Sequence, residues 1–233
     1  MRRHQLLNLR DLEQGLENLN APRSAGATFQ LTPGAEPGAS RVQVDVNDSD
    51  PHHFDISLSN ADTGGGADTT LGLNFGLDNS LGINDQLTIG LTTAPFEDRR
   101  QTYTDSFNLG WKIPVGNWSL DASAGASRYF FILPGINQTY DVTGRSHNFA
   151  LDASRLLMRN QSAKAYVYGG VKLTRSRTFI DGFEIATQRR RLTIGSLGLR
   201  GEKSFKVGKL NWDIGTRFGL RAFGACTFWQ GQS

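Results

Sequence analysis

Three carboxylates in alternating segments, Asp121, Asp152 and Asp213, are candidate acids or bases in this 233-residue chain. Each occupies a polar position in an alternating apolar–polar segment, and strand side chains alternate between two faces. Catalytic carboxylates work in pairs at a defined separation, and nothing in the sequence sets one. We therefore interpret these residues as water-facing groups of a sheet rather than as catalysts.

Other residue types that often do chemistry occur without the companions they would need. His52-His53 is followed by no second cluster of ligand types, so we predict no metal site. Gly64-Gly65-Gly66 lacks the lysine and the helix of a phosphate-binding loop. No nucleophile sits in a recognisable elbow, and the single cysteine, Cys226, excludes an internal disulfide. We predict that the chain is not an enzyme and uses no cofactor.

The dominant pattern alternates apolar residues with polar residues or glycine, about nine times between Phe54 and Phe223. Segments of about 10 residues suit tilted barrel strands that cross a bilayer, whereas sandwich strands are usually shorter. The mean hydropathy is negative, as expected where every second residue is polar. We predict a mainly β fold, a partial transmembrane antiparallel β-barrel. The lumen-facing candidates are Asn74, Asp121, Asp152, Lys172, Asp213 and Arg217.

The predicted connections differ in length on the two sides of this sheet. The short turns are those at 114–117, 159–162 and 203–207. The longer connections are those at 96–101, 133–146 and 177–187. Outer-membrane barrels have short periplasmic turns and longer outer loops, which places the short turns in the periplasm. A phase slip at Gly195-Ser196 predicts a β-bulge.

Residues 1–46 follow a different pattern. Leucines at positions 9, 12, 16 and 19 predict a helix from about Leu6 to Leu19. Its polar outer face is expected to consist of Asp11, Gln14, Glu17 and Asn18. Two short strands are expected at Ala27 to Leu31 and Arg41 to Val46, joined by a turn rich in Pro and Gly. A helix and a hairpin cannot bury a core alone, so we interpret 1–46 as the C-terminal part of an α+β module, with a linker at 47–53.

Charge is modest, with a formal net charge of +3, and the densest basic cluster is Arg189-Arg190-Arg191. No stacking aromatic residues alternate with this triplet, which disfavours nucleic acid as a partner. We interpret it as a charged strand end at a membrane surface. No apolar signal core follows Met1-Arg2-Arg3-His4. We expect either that the start is missing or that the chain is not exported.

Five segments together carry a family resemblance. They are LNLRDLEQGLENLN (Leu7 to Asn20), TPGAEPGASRVQVDV (Thr32 to Val46), LGLNFGLDNSLGINDQLTIGL (Leu71 to Leu91), RRRLTIGSLGLRGEKSF (Arg189 to Phe205) and GTRFGLRAFGA (Gly215 to Ala225). In order and spacing they resemble two-partner secretion (TpsB) transporters, the ShlB/FhaC/HecB-type haemolysin secretion/activation proteins. The first two segments are similar to the end of the second POTRA domain of that family.

The resemblance implies an outer-membrane barrel of sixteen strands, about nine of them present here, preceded by two periplasmic POTRA domains in a Gram-negative bacterium. Such a transporter captures a large unfolded exoprotein, a haemolysin or an adhesin, and passes it through the barrel. The implied partners are this exoprotein and outer-membrane lipid. The POTRA hairpin is expected to contact the exoprotein by strand addition. Its substrate-binding candidates are Arg41, Gln43 and Asp45.

By this resemblance, 1–46 ends the second POTRA domain and 54–225 is the N-terminal half of the barrel. The family's signal peptide, plug helix, first POTRA domain and Val-Arg-Gly-Tyr/Phe motif are expected outside this sequence. Residues 226–233 fit no part of the pattern, and one interpretation is a frameshifted tail. The alternatives are a barrel-assembly insertase or a porin, a non-functional gene fragment, and a soluble β-rich binding protein.

Arginine on the predicted apolar face tests the barrel assignment. Leu73→Arg or Ile89→Arg should lower the free energy of unfolding of the membrane-folded chain by about 2–4 kcal/mol, because these side chains would meet lipid at mid-bilayer. Asn74→Arg, one residue along on the polar side, is the matched control and should cost little. Urea unfolding in lipid vesicles measures the difference. Equal tolerance of arginine at Leu73 and Asn74 would overturn the assignment.

Overall fold

The computed structural model describes residues 9–35, 39–60 and 69–222. It consists of a small part, one helix with a two-stranded sheet, and a large antiparallel sheet. No helix in these ranges is both long and apolar enough to cross a membrane. Strands dominate the fold, as the alternating pattern predicts.

The small part begins with helix α1 (Leu9–Leu19). Strands β1 (Ala27–Pro33) and β2 (Ser40–Val46) follow and pair antiparallel. The Asn20 side chain joins the helix to the hairpin: its nitrogen donates to Ala27 O at 2.8 Å, and its oxygen accepts from Ala27 N at 2.7 Å. The predicted helix and both predicted strands are confirmed, and the first predicted helical turn lies outside the described residues.

The large sheet is a meander. Its strands are β3 (His52–Ser59), β4 (Thr70–Asp78), β5 (Gln86–Thr93), β6 (Thr102–Val115), β7 (Trp118–Pro134), β8 (Thr139–Arg159), β9 (Ala163–Ile180), β10 (Phe183–Glu184), β11 (Arg190–Phe205) and β12 (Gly208–Gly219). Each long strand pairs antiparallel with the next, and the two-residue β10 pairs with β9. In the described ranges nine long strands therefore follow one another, and the predicted number and order are confirmed. Within the same ranges, β3 and β12 each pair on one side only.

The register brings the apolar residues of successive strands together on one face. One row across the sheet consists of Phe54, Phe75, Ile89, Leu109, Ala124, Phe149 and Leu173. The next row along the strands consists of Asp55, Asn74, Gly90, Asn108, Gly125, Asn148 and Thr174. Directly paired residues point to the same side, and adjacent residues point to opposite sides. We call the side of the first row the apolar face and the side of the second row the polar face.

No second layer of the described residues covers the apolar face. Phe54, Ile56 and Leu58 of β3 are 64%, 64% and 63% exposed. The buried hydrophobic side chains among the described residues are those of Ala27, Ala94 and Val142, too few for a core. A soluble sandwich packs such a face against a second sheet. The exposed apolar face therefore argues against the soluble alternative.

The predicted bulge at Gly195-Ser196 is wrong. The register of β11 runs without interruption through both residues, against β9 on one side and β12 on the other. Leu192 pairs with Thr174 on the polar face, whereas Leu197 pairs with Gly169 on the apolar face. Apolar residues on both faces thus produced the apparent phase slip. The register shift lies instead in β8, between Leu156 and Met158.

The two ends of the sheet differ in their connections. At the end beside the small part, which we call the module end, residues 116–117, 160–162 and 206–207 form short turns, as predicted. At the opposite end, the far end, two of the predicted long connections are mostly strand. The connection predicted at 133–146 shrinks to 135–138, and β9 continues to Ile180. Aromatic and β-branched residues such as Tyr140 and Val142 favour this continuation.

The turn between β4 and β5 is built around the fully buried side chain of Asp85. One carboxylate oxygen accepts from Leu81 N at 2.9 Å; the other accepts from Trp111 Nε1 at 2.9 Å and from the Ser80 hydroxyl. Burial alone would raise the pKa of Asp85. The hydrogen bonds from Ser80, Leu81 and Trp111 outweigh burial, so the pKa is lowered.

Asp85→Ala should lower the free energy of unfolding by about 2–3 kcal/mol, because three donors lose their acceptor in a buried turn. Urea unfolding in detergent micelles measures the loss, and Asp48→Ala, at an exposed position, is the control. Since the folded-state pKa is lowered, the carboxylate contributes stability above about pH 4 and loses it as the pH falls through the folded-state pKa. A loss that does not shrink toward acidic pH would contradict this explanation.

Candidate functional site

A group of charged and aromatic residues lies on the polar face of β7, β8, β9, β11 and β12. The register sets Asp121 opposite Asp152, and Arg200 opposite Asp213. These residues line a depression of about 730 Å³. We call the group the polar-face cluster; its members are Asp121, Asp152, Tyr168, Arg200, Asp213 and Arg217.

Cross-strand contacts hold this cluster together. Tyr168 Oη donates to Asp213 Oδ1 at 2.7 Å. The guanidinium carbon of Arg200 lies 5.8 Å from the centre of the Tyr168 ring, within cation–π range. Gly198 and Gly215 leave the space for Tyr168, because a Cβ at either position would collide with its hydroxyl. The Tyr168 side chain therefore lies across neighbouring strands at positions where glycine, which has no side chain, leaves space.

The polar-face cluster is a solvent-exposed polar surface and not a defined pocket for a small ligand. It carries both signs of charge, and Asp152, Asp213 and Arg217 are exposed. No group of three His, Cys, Asp or Glu residues in the described ranges is arranged to hold a metal ion. Donors and acceptors spread in this way can form transient hydrogen bonds with a passing polypeptide.

All six predicted lumen-facing residues lie on the polar face. Asp121, Asp152, Asp213 and Arg217 are brought together in the polar-face cluster. Asn74 and Lys172 lie apart from it: Asn74 pairs with Asp55 and Gly90, and Lys172 pairs with Ala150 and Ile194. That these six residues line a conduit stays a prediction.

Sequence reasoning missed Tyr168 and Arg200. Tyr168 follows Val167 and Arg200 follows Leu199, and both preceding residues pair with each other on the apolar face. Alternation therefore gives the face of Tyr168 and Arg200. It does not give the bond between Tyr168 and Asp213, because that bond depends on strand order and register.

The predicted substrate-binding residues lie on one side of β2. Arg41, Gln43 and Asp45 pair with Thr32, Gln30 and Thr28 of β1. All three side chains are exposed, and Gln43 Nε2 donates to Asp45 Oδ1 at 3.0 Å. In the described part of the chain, β2 pairs with β1 alone. Such an edge can accept an added strand, and binding of substrate there stays a prediction.

Helix α1 contacts the module end of the sheet. Asn18 Nδ2 donates to Gly116 O at 2.7 Å in the β6–β7 turn. Glu17 pairs with Arg159 and with Lys164, whose Nζ lies 3.1 Å from each carboxylate oxygen. The prediction that Gln14, Glu17 and Asn18 belong to an outer face is therefore wrong. The sheet end offers two cations to Glu17, and the Gly116 carbonyl also accepts from Gln14 Nε2 at 3.4 Å. We call Glu17, Asn18, Gly116, Arg159 and Lys164 the helix–sheet junction.

The helix–sheet junction continues into the polar-face cluster. Glu17, Lys164, Tyr166 and Arg200 line one depression of about 680 Å³. The guanidinium carbon of Arg200 lies 5.6 Å from the centre of the Tyr166 ring, and Arg200 also belongs to the cluster. A polar surface therefore runs from α1 along the polar face of β9 and β11.

Comparison with known families agrees with this geometry. The family described as haemolysin secretion/activation protein ShlB/FhaC/HecB matches residues 38–228. The chain belongs to the ShlB/FhaC/HecB family. In addition, the POTRA domain family matches residues 1–33.

Curated relatives of this ShlB/FhaC/HecB chain carry transporter names. The outer membrane transporter CdiB-2 of Burkholderia pseudomallei (strain 1026b) is 31% identical, over 94% of this chain and 38% of its own length. The outer membrane transporter CdiB of Dickeya dadantii (strain 3937) is 28% identical, over 97% of this chain and 40% of its own length. The hemolysin transporter protein HpmB of Proteus mirabilis is 23% identical, over 95% and 39%. The chain thus spans less than half the length of these relatives.

Solved structures show the fold. CdiB from Escherichia coli superimposes with a TM-score of 0.91, at 24% identity, over 98% of this chain and 42% of that chain. CdiB from Acinetobacter baumannii gives a TM-score of 0.80, at 24% identity, over 94% and 42%. The ShlB/FhaC/HecB chain described here is a partial antiparallel β-barrel preceded by part of a POTRA domain, and this prediction is confirmed.

Glu17→Ala should loosen α1 from the sheet. Arg159, whose side chain is only 8% exposed, and Lys164 would lose their shared carboxylate. Hydrogen–deuterium exchange of a peptide covering 9–20 should become faster, while exchange in β8 and β9 stays unchanged. Asp11→Ala, at an exposed position of the same helix, is the matched control. If exchange in α1 does not change in the Glu17 variant, the ion pairs do not hold the helix.

Proposed function

We propose that this chain is part of an outer-membrane transporter that secretes and activates a large exoprotein by two-partner secretion. The observation that carries the proposal is the combination of a two-faced, nine-stranded sheet with a POTRA-type module bound to one end of it. The transporter names of the relatives support the same activity. The partner would be a haemolysin or an adhesin in unfolded form. No catalysis, cofactor or nucleic acid enters the proposal.

In this proposal the apolar face contacts outer-membrane lipid. Along β6, apolar-face positions run from Phe107 to Val115, which matches the roughly 9–11 residues that a tilted strand needs to cross a bilayer. The ladder pairs the backbone groups of the strands between β3 and β12, as hydrocarbon requires. An apolar face without a covering layer is costly in water and favourable in lipid.

The short turns and the docked helix support an orientation for the sheet. POTRA domains of a transporter of this kind lie in the periplasm, so the module end would face the periplasm and the far end the exterior. Short periplasmic turns are the rule in outer-membrane barrels. The exoprotein would then meet the hairpin first and the polar face second.

The polar face would line the conduit, with the six lumen-facing candidates on its wall. The open edge of β2, with Arg41, Gln43 and Asp45, would receive an extended exoprotein segment. For the domain division we propose a POTRA part at 1–46, a linker at 47–53 and a barrel half at 54–225. Residues 226–233, interpreted as an unmatched tail, lie outside the described residues.

Site-specific photo-cross-linking tests this function in a Gram-negative host. A photoreactive amino acid replaces Asp213 on the polar face or Leu73 on the apolar face, in the gene that carries this segment. The same cells express a large candidate exoprotein, a haemolysin or an adhesin. Because an exoprotein in transit contacts the polar face only, cross-links should form from position 213 and not from position 73.

Two results would contradict the proposed function. Equal cross-linking from both positions would show that the exoprotein does not follow the polar face. Absence of cross-links from 213, with the protein inserted in the outer membrane, would favour a barrel without this cargo, such as a porin. A photoreactive residue at Asp121 provides an independent second position on the polar face.

A further inference from the structure

The apolar face changes character at its far end, where arginine replaces aliphatic residues. Two rows of paired residues continue the apolar face there. In the first row Arg128, Arg145 and Arg177 follow Asp105, and in the second row His147, Arg175 and Arg191 follow Ala126. Their register places them on the same side as Phe149 and Leu173. We call these two rows the arginine belt.

Like charges meet directly in the arginine belt. Arg145 lies between Arg128 and Arg177 in the ladder. Residues paired in this way have Cβ atoms about 4.5–5.5 Å apart, and like charges there destabilise a sheet. Asp105 pairs with Arg128 at 3.0 Å, and Glu184 lies 3.9 Å from Arg177. For the Arg145 side chain no hydrogen bond or ion pair is found among the described residues, so no carboxylate in this part of the chain neutralises its positive charge.

An apolar groove runs into this belt. It has a volume of about 770 Å³, and its lining includes Leu73, Leu91 and Phe107. Arg128 and Arg145 of the belt line the same groove. Aliphatic and aromatic walls that end in guanidinium groups match a molecule with an acyl chain and an anionic head.

Aromatic residues mark the depth of the belt. Tyr103 and Phe130 pair on the apolar face one step beyond the row of Arg128, with ring centres 5.7 Å apart. Arg99 lies 4.9 Å and Arg128 5.7 Å from the centre of the Tyr103 ring. Aromatic side chains of this kind concentrate at the level of lipid headgroups. The arginines thus lie where lipid phosphates would be.

The module end of the same face differs. In the strands described there, its arginine and lysine residues are Arg155, above the Trp118 ring at 5.4 Å, and Lys203, above the Phe205 ring at 5.1 Å. Neither is paired in the ladder with another arginine: Arg155 pairs with Val167, and Lys203 pairs with Ala163. The concentration of arginine is therefore a property of the far end of this face.

We propose that the arginine belt binds a phosphorylated lipid of the leaflet at the far end, with phosphates on the guanidinium groups and an acyl chain in the groove. The inference rests on the proposed function for its assumption that the apolar face contacts lipid. Guanidinium groups bind phosphate through two parallel hydrogen bonds and are less strongly hydrated than ammonium groups. Two rows of cations favour a lipid with two phosphates over a lipid with one.

Native mass spectrometry of the chain in neutral detergent micelles tests this proposal. The probes are diphosphoryl lipid A, monophosphoryl lipid A and phosphatidylcholine, each added at the same concentration. Bound lipid should decrease in that order. Arg128→Gln with Arg145→Gln should weaken binding of diphosphoryl lipid A about tenfold or more, because charge-assisted hydrogen bonds to phosphate are lost. Arg155→Gln with Lys203→Gln, two basic residues of the same face at the module end, is the matched control and should leave binding unchanged.

Three results would overturn the proposal. Equal binding of phosphatidylcholine, whose phosphate charge is balanced by choline, would show that the belt does not recognise anionic phosphates. An equal loss in both double variants would show that total charge, not the belt, governs binding. Displacement of the lipid by millimolar inorganic phosphate would indicate a site for free anions.

Two controls accompany this test. Circular dichroism checks that each variant is folded. Arg128→Lys with Arg145→Lys, which keeps the charge, should recover part of the binding. Cross-linking from position 213 does not depend on the belt, so failure of lipid binding leaves that test intact.

Discussion

The antiparallel backbone ladder is the interaction on which the rest of this structure depends. Side-chain packing cannot hold the strands, since the buried hydrophobic residues of the described ranges are only Ala27, Ala94 and Val142. Backbone hydrogen bonds from β3 to β12 do so instead. In hydrocarbon an unpaired backbone group costs several kcal/mol. A slip of one residue would also move every apolar side chain to the polar face, so the register fixes the chemistry of both faces at once.

The polar face depends on glycine as well as on register, because both decide which side chains can lie across a neighbouring strand. A side chain such as Asp152 or Tyr168 lies across the neighbouring strand, and Gly170 or Gly198 stands where a Cβ would collide with it. Polar side chains thus occupy space between strands, and hydrogen bonds such as that from Tyr168 to Asp213 form across it. The abundance of glycine, 27 residues, is consistent with this arrangement. Alternation thus determines the face on which a side chain lies, and glycine on the neighbouring strand leaves the space that it occupies.

Period-two alternation was enough to predict the strands and the face of most of their residues, because it is a local property of the chain. Quantities that depend on neighbouring strands were not predictable. The apolar Leu192 on the polar face imitated a bulge in β11, while the real shift between Leu156 and Met158 left no sequence signal that was recognised. The docking side of α1 was also missed. Its leucine stripe indicated one buried side, yet Glu17 binds the sheet through cations that are 142 and 147 positions away in the chain.

The observed β-bulge in β8, between Leu156 and Met158, determines which face carries the arginines at the two ends of that strand. Arg145 and Arg159 are separated by an even number of positions in β8, so an uninterrupted strand would set both on the apolar face. The shift between Leu156 and Met158 reverses the alternation, and Arg159 then pairs with Lys164 on the polar face. A bulge re-aims the side chains that follow it. Without it, Arg159 would lie on the apolar face and Glu17 would lose a partner. With the bulge, Arg145 lies on the apolar face at the far end, and Arg159 pairs with the carboxylate of Glu17 at the module end.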